Sequence, residues 1–218
     1  EEIERALSLV DYRDLQVNTQ SGSASLSRTG QMVDLGGIAK GYAADRAREI
    51  YVRRGIRSAI VDLGGDVVVV GLGPGGSPWR VGIQHPEERQ GTLVGVLRAS
   101  NEAVVTSGDY ERFVDTGGAR YHHIIDPATG YPAQGGLTSV TVVCGDSTLA
   151  DALATAVFVL GPERGSRLLH TLPGTGAVLV EAPPARRLHI TPGLQGRFTL
   201  LDDRYTVHRI TISPAQES

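Results

Sequence analysis

The chain has 218 residues, of which 40% are hydrophobic, and its formal net charge is −3. A globular chain of this length buries roughly 70% of the surface that its unfolded form exposes, which is enough for one large domain or two small ones. The mild negative charge, without a basic stripe interleaved with aromatic residues, argues against a nucleic-acid partner, and no apolar run approaches the ~18 residues that a membrane-spanning helix needs.

The N-terminal part is predicted to contain helices and short strands. Glu1 to Val10 predicts the end of a helix, because apolar residues recur on one face at Ile3, Ala6, Leu7 and Val10. Short strands with Ser and Gly turns follow from Leu15 to Leu35, and Thr29-Gly30 predicts the turn of a hairpin. Helical spacing resumes from Gly37 to Arg54, with Gly55 as the predicted C-terminal cap.

The middle of the chain has the patterns of strands and turns. The run "SAIVDLGGDVVVVGLG" predicts two strands joined by Gly64-Gly65. The stretches "WRVGIQHP" and "TLVGVLRAS" alternate as strands do. From Val104 to Pro132 the sequence is rich in turns and polar groups.

The C-terminal third mixes both kinds of element. Leu137 to Cys144 predicts a strand, and Ser147 to Leu160 predicts a helix that has Ser147 as its N-cap and stops at Gly161-Pro162. A short helix from Glu163 to His170 precedes strands in "GAVLVEA", "RRLHITPG" and "RFTLL". Because strands and helices are interspersed without a regular βαβ rhythm, we expect an α+β fold rather than a doubly wound sheet.

A glycine loop precedes the chain's only lysine. Asp34-Leu35-Gly36-Gly37 leads into the predicted helix, whose first N–H groups lack intrahelical partners and favour an anion. Lys40 lies in the first turn, where its charge opposes the helix dipole, so a bound anion explains it better than a structural role. One lysine must lie somewhere, so chance placement is the alternative. The loop has neither the GxxxxGK[ST] nor the GxGxxG spacing.

Two oxygen-bearing side chains lie on one face of a later predicted helix. Asp151 and Thr155 are four residues apart, so both project from the same side. A carboxylate and a hydroxyl are hard donors that suit Mg²⁺. Alternatively, Asp151 complements the helix dipole and Thr155 is an ordinary packing residue.

The stretch "RYHHIIDPATGYP" contains two adjacent histidines. If it is a strand, His122 and His123 face opposite ways, so at most one of them belongs to a site. A neutral histidine is a natural general base for a hydroxyl nucleophile. The alternative is that His123 is a packed, hydrogen-bonded residue. Asp126 is predicted to serve a turn with Pro127.

Taken in order, these segments resemble the ApbE family, the FAD:protein FMN transferases. The matching stretches run from about Val33 to Gly161 and are "DLGGIAKGYAAD", "DLGGDVVVVG", "WRVGIQHP", "TSGDYERF", "YHHIIDPATGYP" and "DALATAVFVLG". The resemblance implies an α+β, ApbE-like (T-fold-like) fold, with mixed or antiparallel sheets and packed helices. It implies one flavin transferase domain over residues 1–218 that lacks the family's N-terminal segment.

The resemblance also implies which residues contact FAD. Asp34 and Lys40 would contact it, and Ile125 would line the flavin site through its backbone. The block from Asp62 to Asp66 and the segment around Arg80 would shape the walls of the nucleotide site.

The same resemblance implies a metal ion and a catalytic base. The backbone carbonyl of Gly37 and the side chains of Asp151 and Thr155 would bind Mg²⁺. His123 would take the proton from the attacking hydroxyl.

The implied reaction transfers FMN from FAD to a threonine or serine hydroxyl of an acceptor flavoprotein, such as a subunit of a membrane redox pump, and releases AMP. Hydrolysis of FAD to FMN and AMP by the same residues is one alternative, and FAD binding without catalysis is another. The resemblance further implies a bacterial protein that is exported to the periplasm, or anchored to the membrane, through the missing N-terminal segment.

Overall fold

The computed structural model describes residues 1–117 and 119–210. Its helices are α1 (Glu2–Leu7), α2 (Ala39–Arg53) and α3 (Ser147–His170). Its strands are β1 (Leu15–Asn18), β2 (Ser23–Leu26), β3 (Ala59–Asp62), β4 (Val67–Val70), β5 (Trp79–Gln84), β6 (Leu93–Ala99), β7 (Ala103–Gly108), β8 (Phe113–Thr116), β9 (Ala119–His122), β10 (Leu137–Cys144), β11 (Gly176–Glu181), β12 (Arg187–Ile190), β13 (Phe198–Leu200) and β14 (Thr206–Arg209).

Most strands belong to one large mixed sheet. Its order is β14-β12-β11-β10-β7-β4-β3, and every neighbouring pair is antiparallel except β12 and β14. A second sheet has the order β13-β6-β5, and β1-β2 and β8-β9 form separate hairpins. The predicted α+β class, with mixed and antiparallel sheets, therefore describes the molecule.

The large sheet is covered on both faces, which explains why every residue of β10 is buried. Successive side chains of a strand point to opposite faces. Val140 and Val142 of β10 accordingly pack in the cluster beneath the helices, whereas Val143 packs in the cluster toward the three-stranded sheet. The result is three layers, with α2 and α3 on one side of the large sheet and the small sheet on the other.

Both long helices end as their sequences predict. Gly55 follows α2 with a φ of 79°, and Ile56 N–H bonds back to the Tyr51 carbonyl, which is the six-to-one bond of a glycine-terminated helix. Helix α3 is interrupted at Gly161, whose φ of 76° and ψ of 178° are not helical, directly before Pro162. The two helices predicted on either side of Gly161-Pro162 are thus confirmed.

Four local predictions need correction. The hairpin turn lies between β1 and β2, where the Asn18 side chain accepts two backbone N–H bonds, and not at Thr29-Gly30. Residues 31–35 are irregular rather than a strand. The N-cap of α3 is Asp146, which accepts the N–H of Leu149, and not Ser147. Strands β7, β8 and β9 lie in or beside the segment predicted to be turn-rich.

Within the described ranges, no helix combines the length and the apolar character needed to cross a bilayer. Residues 211–218 lie outside these ranges, so the assignment of residues 1–218 to one domain stays a prediction.

Candidate functional site

The glycine loop folds on itself just before α2. Oδ1 of Asp34 accepts the N–H of Gly36 at 2.6 Å, and the Leu35 carbonyl accepts the N–H groups of Ile38 and Ala39. The N-cap residue of α2 is Ile38, whose side chain makes no capping hydrogen bond. The loop therefore leaves the start of α2 open toward neighbouring groups.

One of those neighbours is the aspartate of α3. Gly41 N–H donates to Oδ2 of Asp151 at 3.0 Å, in a buried contact between α2 and α3. A Cβ atom on Gly41 would lie 2.3 Å from the Ser147 carbonyl oxygen and 2.8 Å from Cβ of Asp151. Glycine is thus required for this close approach, and one of the predicted anion-binding N–H groups is already bonded to a carboxylate.

Asp45 joins the same two helices one turn further on. Its carboxylate accepts the N–H groups of Ser147 (3.1 Å) and Thr148 (2.9 Å) and the Thr148 hydroxyl (2.9 Å), and it pairs with Arg48 at 2.9 Å. Although burial raises the pKa of Asp45, these N–H donors outweigh that effect and hold the pKa below its ordinary value. Asp45 therefore fixes the N-terminal end of α3, and with it the position of Asp151.

The lone lysine is paired with a buried carboxylate. Nζ of Lys40 lies 2.9 Å from Oδ1 of Asp66, whose side chain is fully buried, whereas the Lys40 side chain is 43% exposed. Burial raises the pKa of Asp66, the Lys40 ammonium opposes this rise, and the nearby Asp151 carboxylate adds to it. Oδ2 of Asp66 is buried without a hydrogen-bond partner in the described part of the chain. A cation bound between the carboxylates of Asp66 and Asp151 would offset their mutual repulsion and give Oδ2 of Asp66 a partner.

A cleft of about 540 Å³ brings several predicted residues together. It is lined by Asp34, Gly37 and Ile38 of the glycine loop, by Ile125 and Pro127, and by one face of α3, namely Ala152, Thr155, Ala156, Val159 and Leu160. Four of the seven residues predicted for the site thus share this cleft. Lys40 and Asp151 lie beside it, at the junction of α2 and α3.

The paired histidines have different environments. His122 is buried against Phe158 and shares its Nε2 with the Ala133 carbonyl at 3.1 Å, and burial lowers its pKa. His123 is exposed, and its Nδ1 lies 3.2 Å from the Arg112 carbonyl. The prediction that they face opposite ways is confirmed. His123 is not among the residues lining the cleft, although Ile125 is.

The turn after the histidines has the form predicted for it. Oδ1 of Asp126 accepts the N–H of Ala128 at 2.8 Å, and the Asp126 carbonyl accepts the N–H groups of Thr129 and Gly130. Asp126 is thus a turn residue, and the turn fixes Ile125 and Pro127 at the cleft wall.

A second, apolar cleft of about 360 Å³ adjoins the first. Ile125 and Pro127 line both clefts, and the remaining wall of the second consists of Gly130 and of Ile3, Ala6, Leu7 and Val10. These last four residues are the apolar set that the sequence pattern identified, but α1 ends at Leu7, so Val10 lies beyond the helix rather than within it as predicted. The first cleft therefore continues into an apolar surface on the side of α1.

The donor set around the first cleft fits a small divalent cation. Among residues 1–117 and 119–210, no three His, Cys, Asp or Glu side chains form a metal cluster. A site for Mg²⁺ does not need one, because Mg²⁺ takes one or two carboxylates and completes its shell with other oxygens. Asp151, with the unpartnered oxygen of Asp66 nearby, would supply such a carboxylate, and Thr155 and the Gly37 carbonyl would supply neutral oxygens.

Sequence reasoning missed the roles of Asp45 and Ser107 and treated Asp66 only as a wall residue. Oγ of Ser107 lies 3.2 Å from Oγ1 of Thr155. Each of the three residues acts through a partner at least 26 positions away in the chain. The one sequence signal for these three residues is that each lies inside a stretch that matches the ApbE family.

Comparison with known proteins gives consistent matches. The sequence profile of the ApbE family matches residues 1–179. The FAD:protein FMN transferase of Treponema pallidum (strain Nichols) is 38% identical, with 95% of this chain and 60% of that protein covered. The protein of the same name from Klebsiella pneumoniae (strain 342) is 35% identical, with 94% of this chain and 63% of that protein covered. The chain thus spans about 60% of the length of these relatives.

Solved structures agree with this result. The crystal structure of the ApbE protein from Thermotoga maritima MSB8 matches with a TM-score of 0.79 and 36% identity, over 90% of this chain and 62% of that one. The flavin transferase ApbE from Vibrio cholerae matches with a TM-score of 0.79 and 28% identity, with the same coverage of both chains. The fold class predicted from the sequence is therefore confirmed.

Proposed function

The chain belongs to the ApbE family, and we propose that it transfers the FMN part of FAD to a threonine or serine hydroxyl of an acceptor flavoprotein and releases AMP. The names of the two relatives support FAD as the FMN donor and a protein as the acceptor. The observation that carries the proposal is the convergence of Asp34, Gly37, Ile125 and Thr155 on one cleft, with Lys40 and Asp151 beside it.

The cation in this proposal is Mg²⁺, held by the Gly37 carbonyl, Asp151 and Thr155. The N–H of Gly41 bonds Oδ2 of Asp151, and we assign the cation to the other carboxylate oxygen, Oδ1. When bound there, Mg²⁺ would polarise the phosphate oxygens and offset the charge on the departing AMP.

Lys40 is suited to the diphosphate of FAD. Its ammonium has three N–H donors, and Asp66 takes only one of them. The pairing holds Nζ in place while its exposed side stays available for an anion. A compact ammonium of this kind acts as a point charge, which a planar guanidinium does not replace.

His123 is the proposed general base. Its Nδ1 lies 3.2 Å from the Arg112 carbonyl, and a carbonyl only accepts hydrogen bonds, so Nδ1 carries the proton. The neutral ring then has its free lone pair on Nε2, which is the form a base requires. A positioned base contributes about 10²–10⁴-fold to the rate.

The proposed step balances as follows. The acceptor oxygen forms a bond to the FMN-side phosphorus, and Nε2 of His123 takes the hydroxyl proton. The bond between that phosphorus and the bridging oxygen breaks, and AMP leaves with the oxygen. Alignment of attacking oxygen, phosphorus and leaving oxygen provides the rest of the acceleration, as in phosphoryl transfer generally.

The test uses a purified flavoprotein subunit that lacks its covalent FMN. We expect mass spectrometry to detect an FMN adduct on one of its threonines or serines after incubation with the protein, FAD and Mg²⁺. The His123→Ala variant should lose this product, whereas His170→Ala, which removes an exposed histidine at the end of α3, should not. AMP release without acceptor, and without adduct when acceptor is added, would favour FAD hydrolysis instead.

A further inference from the structure

Ser107 belongs to the stretch "TSGDYERF", whose residues have no role in the proposed reaction so far. It lies on β7, where Ala103 and Val105 belong to the cluster beneath α3. Because side chains alternate along a strand, Ser107 continues this same face. The strand thus presents a half-buried hydroxyl to the middle of α3.

That hydroxyl contacts Thr155. The two side-chain oxygens are 3.2 Å apart, so one hydroxyl donates to the other. Helical threonines commonly bond a carbonyl of the preceding turn instead. In the described part of the chain, Thr155 Oγ1 bonds to Ser107 and not to such a carbonyl. The orientation of the Thr155 hydroxyl therefore depends on a residue of another element.

We propose that Ser107 is a positioning residue that accepts the proton of the Thr155 hydroxyl and so turns an Oγ1 lone pair toward the cation. A hydroxyl has one proton and two lone pairs, and a cation repels the proton of any hydroxyl that binds it. An acceptor on the side away from the cation fixes the ligand in its binding orientation. This inference rests on the proposed function, which makes Thr155 a cation ligand.

The contact is expected to affect cation affinity. Residues that orient a metal ligand typically change the affinity about 10–100-fold when they are removed. The bond is longer than an ideal hydroxyl–hydroxyl bond, so we expect the lower end of that range, about 10-fold.

The experiment measures Mn²⁺ binding by the loss of the electron paramagnetic resonance signal of free Mn²⁺. AMP, the product of the proposed reaction, is present at saturation, and a titration of AMP without protein gives the baseline. The variants are Ser107→Ala, Thr155→Val and the double variant. Ser107→Thr keeps a hydroxyl at the position. Thr106→Val removes a hydroxyl from the opposite face of β7, where Thr106 bonds Thr141 at 2.8 Å.

We expect Ser107→Ala to raise the Kd for Mn²⁺ about 10-fold, and Ser107→Thr and Thr106→Val to leave it close to that of the unmodified protein. In the Thr155→Val background, Ser107→Ala should have no further effect, because it acts through Thr155. The inference is overturned if Ser107→Ala binds Mn²⁺ normally while Thr155→Val does not, and the proposed function then stands. If the unmodified protein binds no Mn²⁺, the proposed cation site fails together with the inference.

Discussion

The N–H of Gly41 donates to Oδ2 of Asp151 at 3.0 Å, and this contact joins the helix after the glycine loop to the helix that carries Thr155. The two helices touch here because residue 41 has no side chain. The geometry of the proposed cation site therefore depends on how closely α2 and α3 approach each other.

Gly41→Ala is expected to destabilise the protein and to reduce FMN transfer. Alanine favours a helix by about 1 kcal/mol over glycine. The added Cβ would lie 2.3 Å from a backbone oxygen, however, and such overpacking costs about 1–3 kcal/mol. We expect the overpacking to outweigh the gain in helix propensity, so the free energy of unfolding measured in urea should be lower for Gly41→Ala than for the unmodified protein. Gly145→Ala, with no atom within 4 Å of the new Cβ, is the matched control. An unchanged or greater stability for Gly41→Ala would contradict the requirement for close packing.

Lys40→Met is expected to leave the buried carboxylate of Asp66 without its partner. A buried acceptor that loses its donor costs about 1–3 kcal/mol. Unfolding in the presence of EDTA, so that no cation replaces the lysine, measures this loss. Adding Asp66→Asn to Lys40→Met removes the unpaired charge and should recover most of the stability. If the double variant is no more stable than Lys40→Met alone, the loss has another cause.

Asp45 gives the protein a pH-dependent stability. Burial raises its pKa, but the N–H groups of Thr148 and Ser147 outweigh burial, so the pKa in the folded state lies below that in the unfolded state. A depressed carboxyl pKa stabilises the fold above the ordinary value of the group, and the stabilisation is lost as the pH falls through the folded-state pKa. The free energy of unfolding should therefore decrease as the solution is acidified.

The Asp45→Asn variant tests this dependence. At neutral pH we expect it to lose about 1 kcal/mol, as for the loss of a helix cap. As the pH falls below the ordinary carboxyl pKa, its stability should fall less steeply than that of the unmodified protein. Asp203→Asn, which removes an exposed carboxylate, is the control. Parallel pH curves for the Asp45→Asn variant and the unmodified protein would show that Asp45 does not provide this stability.

The sequence predicted elements whose signals are local. The helix before Gly55, the break at Gly161-Pro162 and the turn at Asp126 all depend on residues within a few positions of one another. Errors arose where two local signals compete. Asp146 and Ser147 are both good N-cap residues; in the structure the Asp146 side chain accepts the N–H of Leu149, and Asp45 of another helix accepts the N–H of Ser147.

Residue spacing could not predict contacts between segments that are distant in the sequence. Nothing around Ser107 indicates that its hydroxyl meets Thr155, 48 positions later. Nothing around Asp66 shows that it is buried beside Lys40 and Asp151. Residue type and spacing suggested the roles of Lys40, His123, Asp151 and Thr155 beside other interpretations. The resemblance favoured those roles and alone gave the roles of Asp34, Gly37 and Ile125, and all seven stay predictions.

The central claim is that the glycine loop and α3 together bind one cation at the diphosphate of FAD. Its most direct test is a crystal structure of the His123→Ala variant, which should not turn over, with FAD and Mn²⁺. We predict one anomalous difference peak in contact with the Gly37 carbonyl, Asp151 and Thr155, adjoining the FAD phosphates. Bound FAD without a peak at these three residues would contradict the account.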